Sequence, residues 1–144
     1  MIYLDSSLMV SLYCPDANSA AAVAAAKAAK APLMITTLCE LETVNAFALR
    51  VFRKELTSTQ ADSARRMLEK DLHDGVFLLR ELPEKAFVRG VQLSKLFTAK
   101  LGTRTADLLH VAAAVEMGAT GFFSFDLQQR KMAEAAGLKV NRWP

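Results

Sequence analysis

The sequence predicts an α/β fold in which a parallel sheet of about five short strands is covered by helices on both faces. Three observations carry that expectation. Short apolar runs rich in β-branched and aromatic residues alternate with longer helical segments along the whole chain. The apolar runs are too short for helices and are bounded by polar or turn residues. Parallel strands need crossover connections, and the segments between the runs are long enough to supply them.

In chain order, residues 2–4 read as the first strand and 7–13 as the first helix. An alanine-rich helix follows over 18–30, then a strand over 33–37 and a helix over 38–53. In that helix Leu38, Leu41, Val44, Ala48 and Phe52 fall near helical spacing and are expected to face the core. Thr57-Ser58-Thr59 ahead of Gln60 offers the N-cap of a helix over 57–73. A strand over 76–82, helices over 83–99 and 105–117, a strand over 121–125, a helix over 127–136 and a strand over 138–140 complete the pattern. Gly75, Gly118 and Gly137 each follow a helical pattern and precede a strand, which suits a left-handed C-cap.

With 144 residues, 52% hydrophobic and 23% charged, the chain can bury a core of its own and is unlike a disordered chain. Gly 6 and Pro 4 are too few for a loop-rich disulfide scaffold. No repeat or low-complexity linker divides residues 1–144, so one domain is expected. The net charge of +3 admits a polyanionic partner without reaching the density of a basic nucleic-acid-binding arm. Cys14 and Cys39 belong to no CxxC or Cys/His cluster and read as two buried thiols in a reducing cytoplasm. Met1-Ile2-Tyr3-Leu4-Asp5 has no basic leader, and the weakly polar stretch 17–31 contains Lys27 and Lys30, so neither a signal peptide nor a membrane span is expected. The small side chains of that stretch suit close packing, against a neighbouring element or a second copy in a homodimer.

In an open parallel sheet, ligands bind outside the carboxyl ends of the strands, so the residues that follow each apolar run are the informative ones. Here they are acids. Asp5 follows the first run, Glu40 and Glu42 lie just after the second, and Asp126 follows Phe122-Phe123-Ser124-Phe125. Asp107 sits in the opening turn of the helix over 105–117. Any one of them alone suits a helix N-terminus, but carboxylates gathered in one pocket repel unless protons or cations are shared among them. Hard oxygen ligands without His or Cys favour Mg²⁺ or Mn²⁺ over zinc. There is no GxGxxG after a strand, no GxxxxGK[ST], no second acid two residues after Asp5 and no GxSxG elbow. Metal-assisted hydrolysis of a phosphodiester is the chemistry left standing.

The same residues form an ordered set. Asp5-Ser6-Ser7 follows the first strand, Glu42-Thr43-Val44-Asn45-Ala46 is an E-x-x-N-A stretch, Arg104-Thr105-Ala106-Asp107 opens a helix, and Phe123-Ser124-Phe125-Asp126 ends the series. From Met1 to about Val140 the chain resembles the PIN-domain nucleases, and its layout is similar to the VapC-type ribonuclease toxins of VapBC toxin–antitoxin pairs. The resemblance implies a PIN-like three-layer α/β/α sandwich with strand order 3-2-1-4-5. It also implies a cytoplasmic endoribonuclease that uses Mg²⁺ or Mn²⁺ and is held in check by a co-expressed VapB-like antitoxin. Carried over residue by residue, Asp5, Glu42, Asp107 and Asp126 would hold the ions and orient or deprotonate the attacking water. Ser7 and Ser124 match positions where small hydroxyl residues accompany the acids, and either support a carboxylate or cap a helix or turn.

Glu40 and Glu42 are about 200° apart on a helix, so only one can face the pocket. The E-x-x-N-A match and the apolar register select Glu42, with Asn45 one turn on to orient it. His110, three residues after Asp107, reads as a packed and hydrogen-bonded helix residue, and His73 as a helix end. Arg50, Arg53, Lys54 and most other basic residues read as solvated faces. Arg104 is the exception, expected to hold the phosphate that the acids repel. Phe47, Phe52, Phe77, Phe122, Phe123 and Phe125 sit at core-like positions. An antitoxin would direct a basic side chain at the acids in place of the metal's charge. The competing readings are a PIN-like RNA-binding or complex-forming module with little catalysis, and a metal phosphohydrolase of another kind.

Overall fold

A computed structural model describes residues 1–141 and contains the alternating elements that the sequence predicts. The strands are β1 (Ile2–Leu4), β2 (Leu33–Thr36), β3 (Leu78–Arg80), β4 (Gly121–Phe123) and β5 (Lys139–Val140). They form one sheet in the order β3-β2-β1-β4-β5, and every pairing is parallel. The crossovers are α1 (Ser6–Tyr13) and α2 (Ser19–Ala28), then α3 (Thr37–Phe52) and α4 (Ser58–His73). Next come α5 (Lys85–Leu93), a π-helical turn (Ser94–Thr98), α6 (Ala99–Leu101) and α7 (Thr105–Glu116), and α8 (Leu127–Ala135) joins β4 to β5.

Alternation along each strand divides the core in two. Tyr3, Met34 and Phe122 are register partners on adjacent strands and pack with α5, α7 and α8. Leu4 and Ile35 point the other way, into the layer of α1, α3 and α4. The run Ala112, Ala113 and Ala114 is buried in α7, where small side chains let the helix lie close to the sheet. Cys14 and Cys39 are free thiols, both buried in the second layer.

The register of α3 differs from expectation. Leu41 is 67% exposed and Phe52 is 83% exposed, while the buried residues are Cys39, Thr43 and Phe47. A hydrophobicity count passes over this stripe because two of its members are weakly polar, yet both satisfy themselves locally. Thr43 Oγ1 donates to the Cys39 carbonyl at 2.7 Å, and Cys39 Sγ donates to the Leu4 carbonyl at 3.4 Å. The expected core position of Phe52 is therefore wrong, and that of Phe47 is right.

The helix expected over 83–99 widens into the π-helical turn and ends at Gly102, whose φ of 68° lies in the left-handed region. Gly75, Gly118 and Gly137 are also left-handed, as the sequence suggests. The strand expected over 121–125 stops at Phe123 because the next backbone N–H groups leave the ladder for side chains. Ser124 N–H donates to Asn141 Oδ1 at 2.9 Å, Phe125 N–H to Ser7 Oγ at 2.9 Å and Asp126 N–H to Ser124 Oγ at 2.8 Å.

The revised register has an energetic consequence. Phe47→Ala should cost about 3–5 kcal/mol of stability, as for a buried aromatic, whereas Phe52→Ala should stay within about 0.5 kcal/mol. Urea denaturation of the two variants measures the contrast, and equal losses would return Phe52 to the core.

Candidate active site

Strand order reverses at β1: the chain moves outward through β2 and β3, then returns to the other side of β1 with β4. In a parallel sheet such a switch point leaves a crevice beyond the carboxyl ends of the strands. A cleft of about 380 Å³ opens there, with Asp5, Ser7, Arg104, Asp107, Asp126 and Gln129 among its lining residues.

Asp5, directly after β1, is fully buried. It caps α1, its Oδ1 accepting from Leu8 N–H at 3.0 Å. The Ser7 hydroxyl lies 2.8 and 2.9 Å from the two carboxylate oxygens, and Ser124 Oγ donates to Oδ2 at 2.7 Å. Loss of solvent pushes the Asp5 carboxyl above its ordinary value, and the donors Ser124, Leu8 N–H and Ser7 only partly offset that. Both serines expected beside the acids thus hold Asp5, while each also accepts a backbone N–H from the β4–α8 turn.

Asp107, in the first turn of α7, accepts from Arg104 Nε at 3.1 Å and from Gln129 Nε2 at 2.8 Å. Gln129 is buried, and its Oε1 has no partner among the described residues. Asp126 caps α8 through Gln129 N–H at 2.9 Å. Arg104 is exposed for 82% of its side chain, and its charge reaches Asp126 and Glu42 as well as Asp107.

Glu42, rather than Glu40, makes the contacts of this region. Its Oε2 accepts from Ser6 Oγ at 2.9 Å and lies 2.5 Å from His110 Nε2, whereas Oε1 has no partner among the described residues. Partial burial raises the Glu42 carboxyl, but the hydrogen bond with His110, with Ser6 and the Arg104 charge, outweighs it and holds the group below its ordinary value. The expected helper, Asn45, is exposed and makes no hydrogen bond among the described residues. Ser6 and His110 take its place, because the true register of α3 turns Asn45 outward.

His110 is fully buried, as a packed histidine should be, and its Nδ1 lies 2.8 Å from the Tyr3 hydroxyl. That hydroxyl also lies 2.8 Å from Thr36 Oγ1. Burial, with the adjacent Cys39 thiol, pushes the Tyr3 phenol well above its ordinary range, so it keeps its proton. Ser6, Tyr3, Thr36 and Gln129 escape sequence reasoning, since each occupies a strand or the first turn of a helix where its residue type is unremarkable.

The acids do not form a ready cage. No three His, Cys, Asp or Glu side chains among the described residues come together as an ion site. Hydroxyls, a guanidinium, an amide and an imidazole make the side-chain hydrogen bonds of Asp5, Asp107 and Glu42. The donor chemistry still suits a hard cation: every acidic ligand offers oxygen, and Glu42 Oε1 and buried Gln129 Oε1 lack partners among the described residues. Arg104, expected to hold a substrate phosphate, is paired with Asp107.

The PIN domain family model matches residues 2–135. The chain belongs to the PIN domain family. This PIN domain is also similar in fold to solved structures of low sequence identity. One is FitAcB from Neisseria gonorrhoeae, at 16% identity and TM-score 0.67, covering 99% of this chain and 97% of that one. Another is VapC20 of Mycobacterium tuberculosis, described as a toxin cleaving the sarcin–ricin loop, at 17% identity and TM-score 0.66, covering 96% of each chain. A third is VapBC2 of Rickettsia felis bound to a fragment of promoter DNA, at 15% identity and TM-score 0.68, covering 100% of each chain. No curated protein sequence matches the chain. No helix among the described residues is long and apolar enough to cross a membrane.

The raised Asp5 carboxyl fixes the sign of a pH effect. The fold favours protonated Asp5, so its contribution to stability is present at low pH and is lost as pH rises through the raised value. Asp5→Asn should therefore melt higher than the wild type near neutral pH in chelator, with the gap closing as the solution is acidified. Thermal melts across the acid-to-neutral range measure this, and a variant less stable than wild type throughout would contradict it.

Proposed function

We propose that this PIN domain is a metal-dependent endoribonuclease and the toxin of a toxin–antitoxin pair, acting in the cytoplasm. The observation that carries the reading is the meeting of Asp5, Asp107 and Asp126 at one cleft, with Glu42 joined to its wall through Ser6. The neighbours' titles support it, since they describe an RNA-cleaving toxin and a VapBC complex. Asp5, Glu42, Asp107 and Asp126 would hold Mg²⁺ or Mn²⁺, which when bound supplies activation of a water nucleophile and charge for the leaving oxygen.

The chain's own residues do the rest. Ser7, Ser124 and the Leu8 N–H keep Asp5 in place, so the group nearest the sheet need not reorganise. Gln129 holds Asp107 through its amide N–H and offers the cleft a buried acceptor for a hydroxyl or water hydrogen. Arg104 would release Asp107 and bind a phosphate oxygen, since its exposed guanidinium can exchange one oxyanion for another. RNA is the substrate, and a VapB-like antitoxin the partner, whose basic side chain would compete for the same acids.

The Arg104–Asp107 pair favours a second reading, in which the domain binds RNA or a partner with little catalysis. Mn²⁺ titration calorimetry on the partner-free chain separates the two. The nuclease reading expects binding by the wild type that Asp107→Asn abolishes, together with Mn²⁺-dependent RNA cleavage that is lost in the same variant. A folded wild type that binds no Mn²⁺ would leave the binding module. Arg104→Ala should raise KM for RNA with a smaller effect on kcat, as expected for a residue that grips substrate in the ground state. Steady-state cleavage assays measure that split, and an unchanged KM would assign Arg104 to Asp107 alone.

A further inference from the structure

We infer that Tyr3 and His110 are positioning residues for Glu42, because a one-way chain of hydrogen bonds through the core fixes one carboxylate oxygen and leaves the other free. This rests on Glu42 serving as a metal-holding carboxylate.

The direction of the chain follows from its ends. The Cys39 backbone N–H can only donate, and it does so to Thr36 Oγ1 at 3.4 Å. The Thr36 oxygen has a second lone pair, so the carboxylate end sets the direction. Glu42 only accepts, a neutral His110 donating to it from Nε2 has Nδ1 left to accept the Tyr3 hydrogen at 2.8 Å, and the Thr36 hydrogen then turns to the Tyr3 oxygen 2.8 Å away. With Nδ1 accepting, the neutral imidazole carries its proton on Nε2, where it donates to Glu42 Oε2 at 2.5 Å. Ser6 Oγ donates to the same oxygen at 2.9 Å. Run in reverse, the chain would set two acceptors against each other at Glu42. Both ends lie on α3, so Glu42 is held relative to its own helix by a loop of contacts that passes through β2, β1 and α7.

Neither Tyr3 nor His110 can touch substrate, since both are fully buried. The Tyr3 ring is stacked on Phe122 with centroids 5.4 Å apart, among the buried apolar side chains of that layer. Polar groups in such a layer cost desolvation, and well-packed apolar side chains of similar volume often serve stability as well or better. What apolar side chains cannot do is orient a carboxylate. Supporting contacts of this kind typically change metal affinity or activity by about 10–100-fold when removed.

The test is Mn²⁺ titration calorimetry on the wild type, Tyr3→Phe, His110→Leu and His110→Gln, with a thermal melt of each. Folded Tyr3→Phe should bind Mn²⁺ about tenfold more weakly. His110→Leu should lose at least as much affinity, and His110→Gln, whose amide can still donate toward Glu42, should recover part of it. If Tyr3→Phe fails to fold, the histidine pair decides. Unequal affinity at equal melting temperature supports positioning, and equal affinity overturns it. Variants that all bind Mn²⁺ as the wild type does overturn the inference while leaving the metal reading intact. A wild type that binds no Mn²⁺ overturns both. Nitrogen NMR of metal-free wild type supplies a readout that needs no ion: the Nε2–H tautomer is expected at His110, and an Nδ1–H tautomer would overturn the chain.

Discussion

A carboxylate buried at the end of the central strand is the constraint on which the rest of the structure depends. Asp5 is withdrawn from water, and an isolated charge there would be very costly. The fold answers with donors from three directions: the first turn of α1, the Ser7 hydroxyl and Ser124 beyond β4. Those donors explain local features that look unrelated in the sequence. The strand β4 ends early because Ser124 and the residues after it turn toward Asp5 and Ser7, and α8 begins where Asp126 completes that turn.

The sheet order gives the constraint its place. Because β1 lies between β2 and β4, whatever follows β1 is flanked by the ends of both neighbours. The helices that begin there, α1, α3, α7 and α8, direct their first turns at the same region, and each brings an acid at or near its N-terminus. Helix dipoles make that arrangement tolerable at α1, α7 and α8, whose first turns meet Asp5, Asp107 and Asp126. Repulsion among the acids is eased by the Arg104 guanidinium at Asp107, while Glu42 is met by hydrogen bonds from Ser6 and His110, so the chain's own side chains supply donors to the site's acids.

Much of the architecture was legible in the sequence because alternation of short apolar runs with helical segments is a long-range pattern that single exceptions do not spoil. Asp5, Asp107 and Asp126 could be found because position after a strand or in a first helical turn is readable in one dimension. The face of α3 was not. Leu41 and Phe52 carry a hydrophobic signal that the fold leaves in solvent, while Cys39 and Thr43 carry a weak one and are buried. The choice of Glu42 over Glu40 agrees with the contacts, but the apolar register that argued for it does not, and Asn45 fell with that register. Tyr3, Thr36 and Gln129 were invisible for another reason. Their importance lies in partners far away along the chain, and no spacing rule reports a phenol on β1 meeting an imidazole on α7.

The brevity of β1 has an evolutionary consequence. In three residues it supplies Tyr3 to one layer and Leu4 to the other and then delivers Asp5. Side chains alternate with a period of two, so inserting or deleting one residue there would exchange the layers and carry the acid off its donors in the same event. A change of length within residues 2–5 therefore disturbs both core layers and the acid together, whereas a substitution there alters one side chain at a time.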